Sequence, residues 1–315
     1  MTCIYCIVGV LALIVYLYKK YFRKNLDMKD KHIVITGGSS GLGIAIAQEC
    51  LNRGATCISL IARNSNSLNQ AMGSLKIKSH QKIQCYSADV SNYDSVQEVF
   101  NRIAEQKIPI DFLFANAGFA KPGLFTEMKR GDFTSHIDVN YLGAAYTAQF
   151  ARPLMSKGSH IIFSGSVCSL MSFAGYGGYG PSKYALKALA DTLRNELKSE
   201  NINVHLLVIS PMDSPGYKVE CQTKPEVCAA IEGTATLFTP EQIAQKVMTG
   251  IAHGNFLITM EFISWLIAQM SYGVSPPDNL FAQLLIAPFV PIVRFGTILY
   301  IDFIARKPLP KPKSD

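Results

Sequence analysis

Unbroken apolar runs, each closed by a turn or polar residue, alternate along the chain with stretches whose apolar positions recur every three or four residues. His32-Ile33-Val34-Ile35-Thr36, Thr56 to Ala62, Lys82 to Ala88, Ile110 to Ala115, Ser159 to Phe163, Val204 to Ile209 and Phe256-Leu257-Ile258-Thr259 are the runs. Continuous apolar character marks strands covered on both faces, as in a parallel sheet. Between them the period changes. A helix opens on Gly43 with Ile44, Ala47 and Leu51 on one face and Gly54 as its stop, and others are predicted from Asp94 to Gln106 and from Asp132 to Ser156. Leu186, Leu189, Ala190, Leu193 and Leu197 mark a further helix, and Thr239-Pro240-Glu241-Gln242 starts the last with a cap, a Pro at the first position and a Gln in capping-box register. Strands alternating with helices predict an α/β fold, a doubly wound parallel sheet of about seven strands over residues 29–259.

The ends break this rhythm. Residues Cys3 to Tyr18 carry no charge and run straight into Lys19, Lys20, Arg23 and Lys24, which predicts an N-terminal membrane anchor with a basic flank at 1–24. There is no basic region before it and no small-residue cleavage site, which argues against a removed signal peptide; its sixteen residues suit either a short span or a helix lying in the interface. Residues 260–306 are apolar around Trp265 and again from Leu280 to Ile304, interrupted by Pro288, Pro291, Arg294 and Asp302. They read as a membrane-associated segment or as a subdomain packed on the core or at a homo-oligomer interface, followed by a basic tail at 307–315.

Charge follows the same division. Much of the net charge of +7 sits in clusters flanking the apolar ends, a placement that favours a membrane surface and excludes nucleic acid as the partner. The eight Cys have no zinc-type spacing, so no metal site is expected, although Cys3 and Cys6 are open to acylation. Basic residues after the anchor, and the lack of any Asn-x-Ser/Thr, place the main domain on the cytosolic side.

The first strand ends in Gly37-Gly38-Ser39-Ser40-Gly41-Leu42-Gly43 and a helix. Glycines admit a pyrophosphate to the backbone and the helix N-terminus supplies free N–H groups, which makes the fold Rossmann-type. The second strand ends Ala62-Arg63-Asn64, with a cation where an acid would bind the ribose of NADH. The expected cofactor is therefore NADPH, with Ser39 or Ser40 as a second phosphate contact. Asp89, Val90 and Asn116 stand at the carboxyl ends of later strands, the edge where such sheets bind ligands. Tyr179 and Lys183 are one helical turn apart, placing an ammonium beside a phenol, and Ser166 lies thirteen residues before Tyr179.

Thr36-Gly37, Gly41, Gly43, Asn116-Ala117-Gly118, Asn140, Ser166 and Tyr179-x-x-x-Lys183 together resemble, in order and spacing, the short-chain dehydrogenase/reductase family over about residues 30–260. The resemblance implies that Tyr179 protonates a carbonyl oxygen, that Ser166 bonds that oxygen, and that Lys183 lowers the tyrosine pKa and holds the nicotinamide ribose. It also implies a water held by Asn140. Tyr176, Ser164 and Ser169 miss the family spacing, and Ala115 departs from the Asn frequent there. Asp213-Ser214-Pro215-Gly216-Tyr217, Thr223-Lys224-Pro225 and the Ala62-Arg63-Asn64 strand end resemble one subgroup, the 3-ketodihydrosphingosine reductases. That implies NADPH-dependent reduction of a long-chain lipid ketone, 3-ketodihydrosphingosine, to dihydrosphingosine. Lys311-Pro312-Lys313-Ser314-Asp315 resembles a cytosolic endoplasmic-reticulum retrieval signal, so the expected location is that membrane with the catalytic domain in the cytosol. A membrane-bound sibling acting on a steroid, retinoid or fatty acyl ketone, and a non-catalytic NADPH-binding protein, are the alternatives.

Overall fold

The computed structural model describes residues 26–233, 235–271 and 287–305; the predicted anchor at 1–24, the basic tail at 307–315 and part of the apolar extension lie outside them. Seven strands, β1 (His32–Thr36), β2 (Cys57–Ala62), β3 (Lys82–Ser87), β4 (Ile110–Ala115), β5 (Met155–Ser164), β6 (Asn203–Val208) and β7 (Leu257–Thr259), form one sheet in the order β3-β2-β1-β4-β5-β6-β7. Every neighbouring pair is parallel. All five residues of β1 are buried, because helices cover both faces. On one face α1 (Gly41–Asn52) packs with the late helix Pro240–Ala252, burying Ile46, Leu51, Val247 and Ile251. On the other, Tyr93–Ala104, Gly143–Ala151 and Tyr179–Glu196 bury Val99, Ala148 and Leu186. The winding direction reverses between β1 and β4, so the loops after these strands part and leave a crevice at the carboxyl edge.

Three predicted elements take another form. The first helix starts at Gly41, not Gly43, since the extended Ser40 (φ −162°) already ends the loop. The single helix predicted over Asp132 to Ser156 is divided: Arg130–Ile137, a wide π turn at Asp138–Leu142, Gly143–Ala151, and a short 3-10 turn holding Pro153. A Pro in a helix interior removes a donor and collides with the preceding turn, which explains the end; strand β5 then starts at Met155, with Gly158 (φ +88°) carrying the irregularity before His160 pairs with Phe112. The polar stretch after β6 is also ordered, as the helices Pro215–Thr223 and Glu226–Glu232.

A histidine pair ties β5 to β6. His205 Nδ1 lies 2.6 Å from the Asn255 carbonyl and must donate to it, which leaves its Nε2 to accept from His160 Nδ1 at 3.0 Å. Burial, and then the neighbouring His205, push His160 down to about 3, and burial lowers His205. Unfolding restores ordinary affinity for protons, so the unfolded chain binds more of them below about pH 6.5. The pair's contribution is complete above that pH and is lost as pH falls through 6.5 towards 3. Between pH 7 and pH 5 the unfolding free energy read by urea titration should drop by about 1 to 2 kcal/mol from His160 alone; a value unchanged over that interval would contradict the neutral pair.

Candidate active site

One cavity of about 680 Å³ runs along the carboxyl edge of the sheet. In the order of the sheet it is lined by Asp89 and Val90 after β3, Arg63 after β2, Gly37, Ser39, Ser40, Gly41 and Leu42 after β1, Asn116 after β4, and then Ser166, Tyr179 and Lys183. Gly43 and Asn140 stand behind this wall and do not line it.

The loop is bare by necessity. Gly37 has φ +66°, and a Cβ there would come within 3.0 Å of Ala117 Cα. At Gly43 a Cβ would come within 2.2 Å of the Gly37 carbonyl oxygen, so this glycine lets the helix close on the loop. Asn116 joins three strand ends: its side-chain amide donates to the Thr36 carbonyl (3.2 Å), its backbone N–H donates to Thr36 Oγ1 (2.9 Å), and its Oδ1 accepts from Ser164 Oγ (2.9 Å). Asp89 Oδ1 accepts from the backbone N–H and hydroxyl of Ser91, which shapes the turn after β3. The Arg63 side chain is exposed at the cavity rim, and among the described residues no acid pairs with it. A glycine loop running into a helix N-terminus, with an unpaired cation at the end of the neighbouring strand, fits a dinucleotide carrying an extra phosphate.

At the other end Tyr179 is the first residue of the helix Tyr179–Glu196, so its ring and Lys183 share the inward face. Lys183 is 5% exposed; its Nζ donates to the Ser164 carbonyl at 2.8 Å and sits 5.6 Å from the Tyr179 ring centroid. Burial drives the lysine down to about 8. The tyrosine is not lowered as the resemblance implied: burial pushes it well above the ordinary phenol range, and Ser166 is the group that opposes this. The buried Cys168 beside it adds to the rise, while Lys183 spends a hydrogen bond on the Ser164 carbonyl. Ser166 caps the turn Val167–Ser169, accepting from the Cys168 N–H at 3.2 Å, while Ser169 Oγ accepts from the Ser166 N–H. Ser164 and Ser169 are thus both spent on holding the frame.

Asn140 departs from the sequence expectation of a mid-helix residue, since it occupies the π turn. Its amide donates to the Phe119 carbonyl and to Ser182 Oγ, and its Oδ1 accepts from the Phe119 N–H, each at 3.0 Å. The side chain therefore pins the loop after β4 to the tyrosine helix.

Sequence spacing missed a second group. Tyr176 packs against Tyr179, ring centroids 5.4 Å apart, and its hydroxyl meets Glu220 and Glu232 from the two helices after β6. These acids lie far from Tyr176 in the chain, and no local pattern announces them. The C-terminal helices Phe262–Met270 and Val290–Ala305 supply Ile263, Ile267, Val293 and Tyr300 to the cavity's far end. Their outer faces leave Phe262 (71%), Phe295 (63%) and Phe303 (70%) exposed. Among the described residues no helix is long and apolar enough to cross a membrane.

The family model for short chain dehydrogenases matches residues 31–224, the segment that carries the loop, the strand ends and the tyrosine helix. The chain belongs to the short-chain dehydrogenase/reductase family. Among other members of this family, it is 36% identical over 305 residues to a 3-ketodihydrosphingosine reductase of Dictyostelium discoideum, covering 90% of both chains. A 3-dehydrosphinganine reductase of Danio rerio is 34% identical, over 82% of this chain and 79% of the relative. Among solved structures, an alcohol dehydrogenase from Thermococcus sibiricus complexed with 5-hydroxy-NADP has a TM-score of 0.61 and 26% identity, covering 70% of this chain and 90% of that one.

Proposed function

We propose that this short-chain dehydrogenase is an NADPH-dependent reductase of 3-ketodihydrosphingosine, yielding dihydrosphingosine. The observation that carries the reading is the continuity of the cavity: the glycine loop, Tyr179 and the apolar helices beyond residue 260 wall a single space. A nucleotide, a ketone and a long alkyl tail fit along it in that order. Similarity to 3-ketodihydrosphingosine reductases over nine-tenths of both chains supports the choice of ketone.

NADPH supplies the hydride. Gly37, Ser39, Ser40, Gly41 and Leu42 would hold its phosphates, Gly43 keeps that loop in place, Arg63 would meet the 2′-phosphate, Asp89 and Val90 would flank the nucleotide on the β3 side, and Asn116 would flank it on the β4 side. Tyr179, kept protonated by burial, is the proton donor to the ketone oxygen. Ser166 donates to the same oxygen and stabilises charge as it develops. Lys183, brought near 8 by burial, reaches the ribose side of the cavity and can exchange protons close to neutral pH. Asn140 acts as a positioning residue for Phe119 and Ser182.

In this reading residues 29–259 form the reductase domain, held on the cytosolic face of the endoplasmic reticulum by the anchor at 1–24 and the extension at 260–306. The outward aromatic residues Phe262, Phe295 and Phe303 suit a lipid surface. Product analysis tests the substrate: turnover of a steroid or retinal with none of 3-ketodihydrosphingosine would refute it, and protease protection of both termini in sealed microsomes tests the orientation. For the cofactor, Arg63→Asp should raise KM for NADPH by about 10- to 100-fold and leave NADH within a few-fold. Equal losses with both nucleotides would remove Arg63 from the 2′-phosphate site.

A further inference from the structure

Beside the proton donor, one wall of the cavity carries a polar network that the hydride chemistry does not use. The Tyr176 hydroxyl lies 2.7 Å from Glu220 Oε1 and 2.5 Å from Glu232 Oε1. Lys224 Nζ lies 3.0 Å from Glu220 Oε1 and 2.6 Å from Glu232 Oε2. A phenol has one hydrogen and can satisfy only one carboxylate at a time. Two carboxylates against one ammonium leave one negative charge over, and among the described residues nothing donates to Glu220 Oε2. Both Glu side chains are only 16% exposed, and the wall around them includes the apolar Met171, Phe173 and Ile231. Unbalanced charge in such surroundings is costly unless a cation completes it.

Carboxylates alone would not make a site; what singles these out is their place. Tyr176, Glu220, Glu232 and Tyr179 line the same cavity, and the two tyrosine rings touch. The ketone proposed above carries its amine on the carbon next to the carbonyl. With that carbonyl at Tyr179, the Tyr176 ring, 5.4 Å away, is within reach of the amine. Resting on that reading of the substrate, we infer that Glu220, with Glu232 and Tyr176, forms the subsite that binds the substrate's ammonium group. Lys224 holds the two carboxylates in register from behind. Burial, then Glu220 and Glu232, push the Tyr176 phenol far above its ordinary range, which keeps it a donor to the carboxylates. The same network disfavours uncharged steroids and retinoids, which would leave the extra charge buried and unmatched.

The test compares 3-ketodihydrosphingosine with its N-acetyl derivative, which keeps the ketone, hydroxyl and tail but loses the charge, in the full chain with NADPH. The parent chain should favour the free amine by about 10-fold or more in kcat/KM, with Glu220→Gln lowering kcat/KM for the amine by about 10- to 100-fold, chiefly through KM. The same variant should leave the N-acetyl ketone within a few-fold, so that the preference collapses; Glu232→Gln should act in the same direction. NADPH binding of each variant reports that the chain is folded. Equal losses for both ketones in both variants, or no preference in the parent, would overturn the subsite while leaving the reductase reading intact. No turnover of either ketone by the parent would overturn both.

Discussion

Tyr179→Phe should lower ketone reduction by about 10²- to 10⁴-fold while NADPH binding stays within a few-fold of the parent chain. The substitution removes one oxygen from a ring that packs between Tyr176 and His136, so the cavity keeps its shape. What is lost is the proton for the carbonyl oxygen, which Tyr176 cannot replace because its hydroxyl is engaged by Glu220 and Glu232. Steady-state turnover beside a fluorescence titration of NADPH separates the two effects. Tyr184→Phe, an exposed position on the same helix, is the control. Turnover within a few-fold of the parent would move the acid elsewhere.

Gly43→Ala should cost the second-largest effect, and in both binding and stability. The added methyl would stand 2.2 Å from the Gly37 carbonyl oxygen, 2.9 Å from its carbon and 3.0 Å from Gly38 Cα. All three are backbone atoms, so the loop must open or the helix must shift. NADPH affinity should fall by at least about 10-fold, equivalent to about 1.4 kcal/mol, and the chain should lose on the order of 2 kcal/mol of stability. Gly73→Ala is the contrast. It lies in the helix Ser65–Ser74 with nothing within 4 Å of the new Cβ, and replacing a helical Gly there should stabilise by about 0.5 to 1 kcal/mol. Urea titration with and without NADPH reads both. Unchanged affinity in Gly43→Ala would mean that the loop is not held as described.

Much of the nucleotide half was legible before folding because its signals are local. Gly37, Gly41 and Gly43 answer to backbone geometry within a few residues, Arg63 ends a strand, and Tyr179 and Lys183 share a face through helix period alone. The Thr239 cap with Gln242 and the left-handed Gly54 were readable for the same reason. Readings failed where distant packing decided. The run from Asp132 to Ser156 has helical periodicity throughout. Yet Gly143 must admit Val90, whose Cγ2 would stand 2.8 Å from a Cβ there, and the backbone widens into a π turn beside that contact.

The order of motifs, the parallel α/β sheet, the phosphate-accepting loop and the phenol–ammonium pair were determined by the sequence itself, through periods and spacings that act over one turn or one strand. Tertiary structure decided the rest. Asn140 turns its amide to Phe119 and Ser182, Tyr179 is raised by burial, and Tyr176 gains two carboxylates that stand 44 and 56 residues away. Burial sets each of these outcomes. How much water a group loses, and which partners replace it, depends on every element that closes over it, and no stretch of chain carries that information alone.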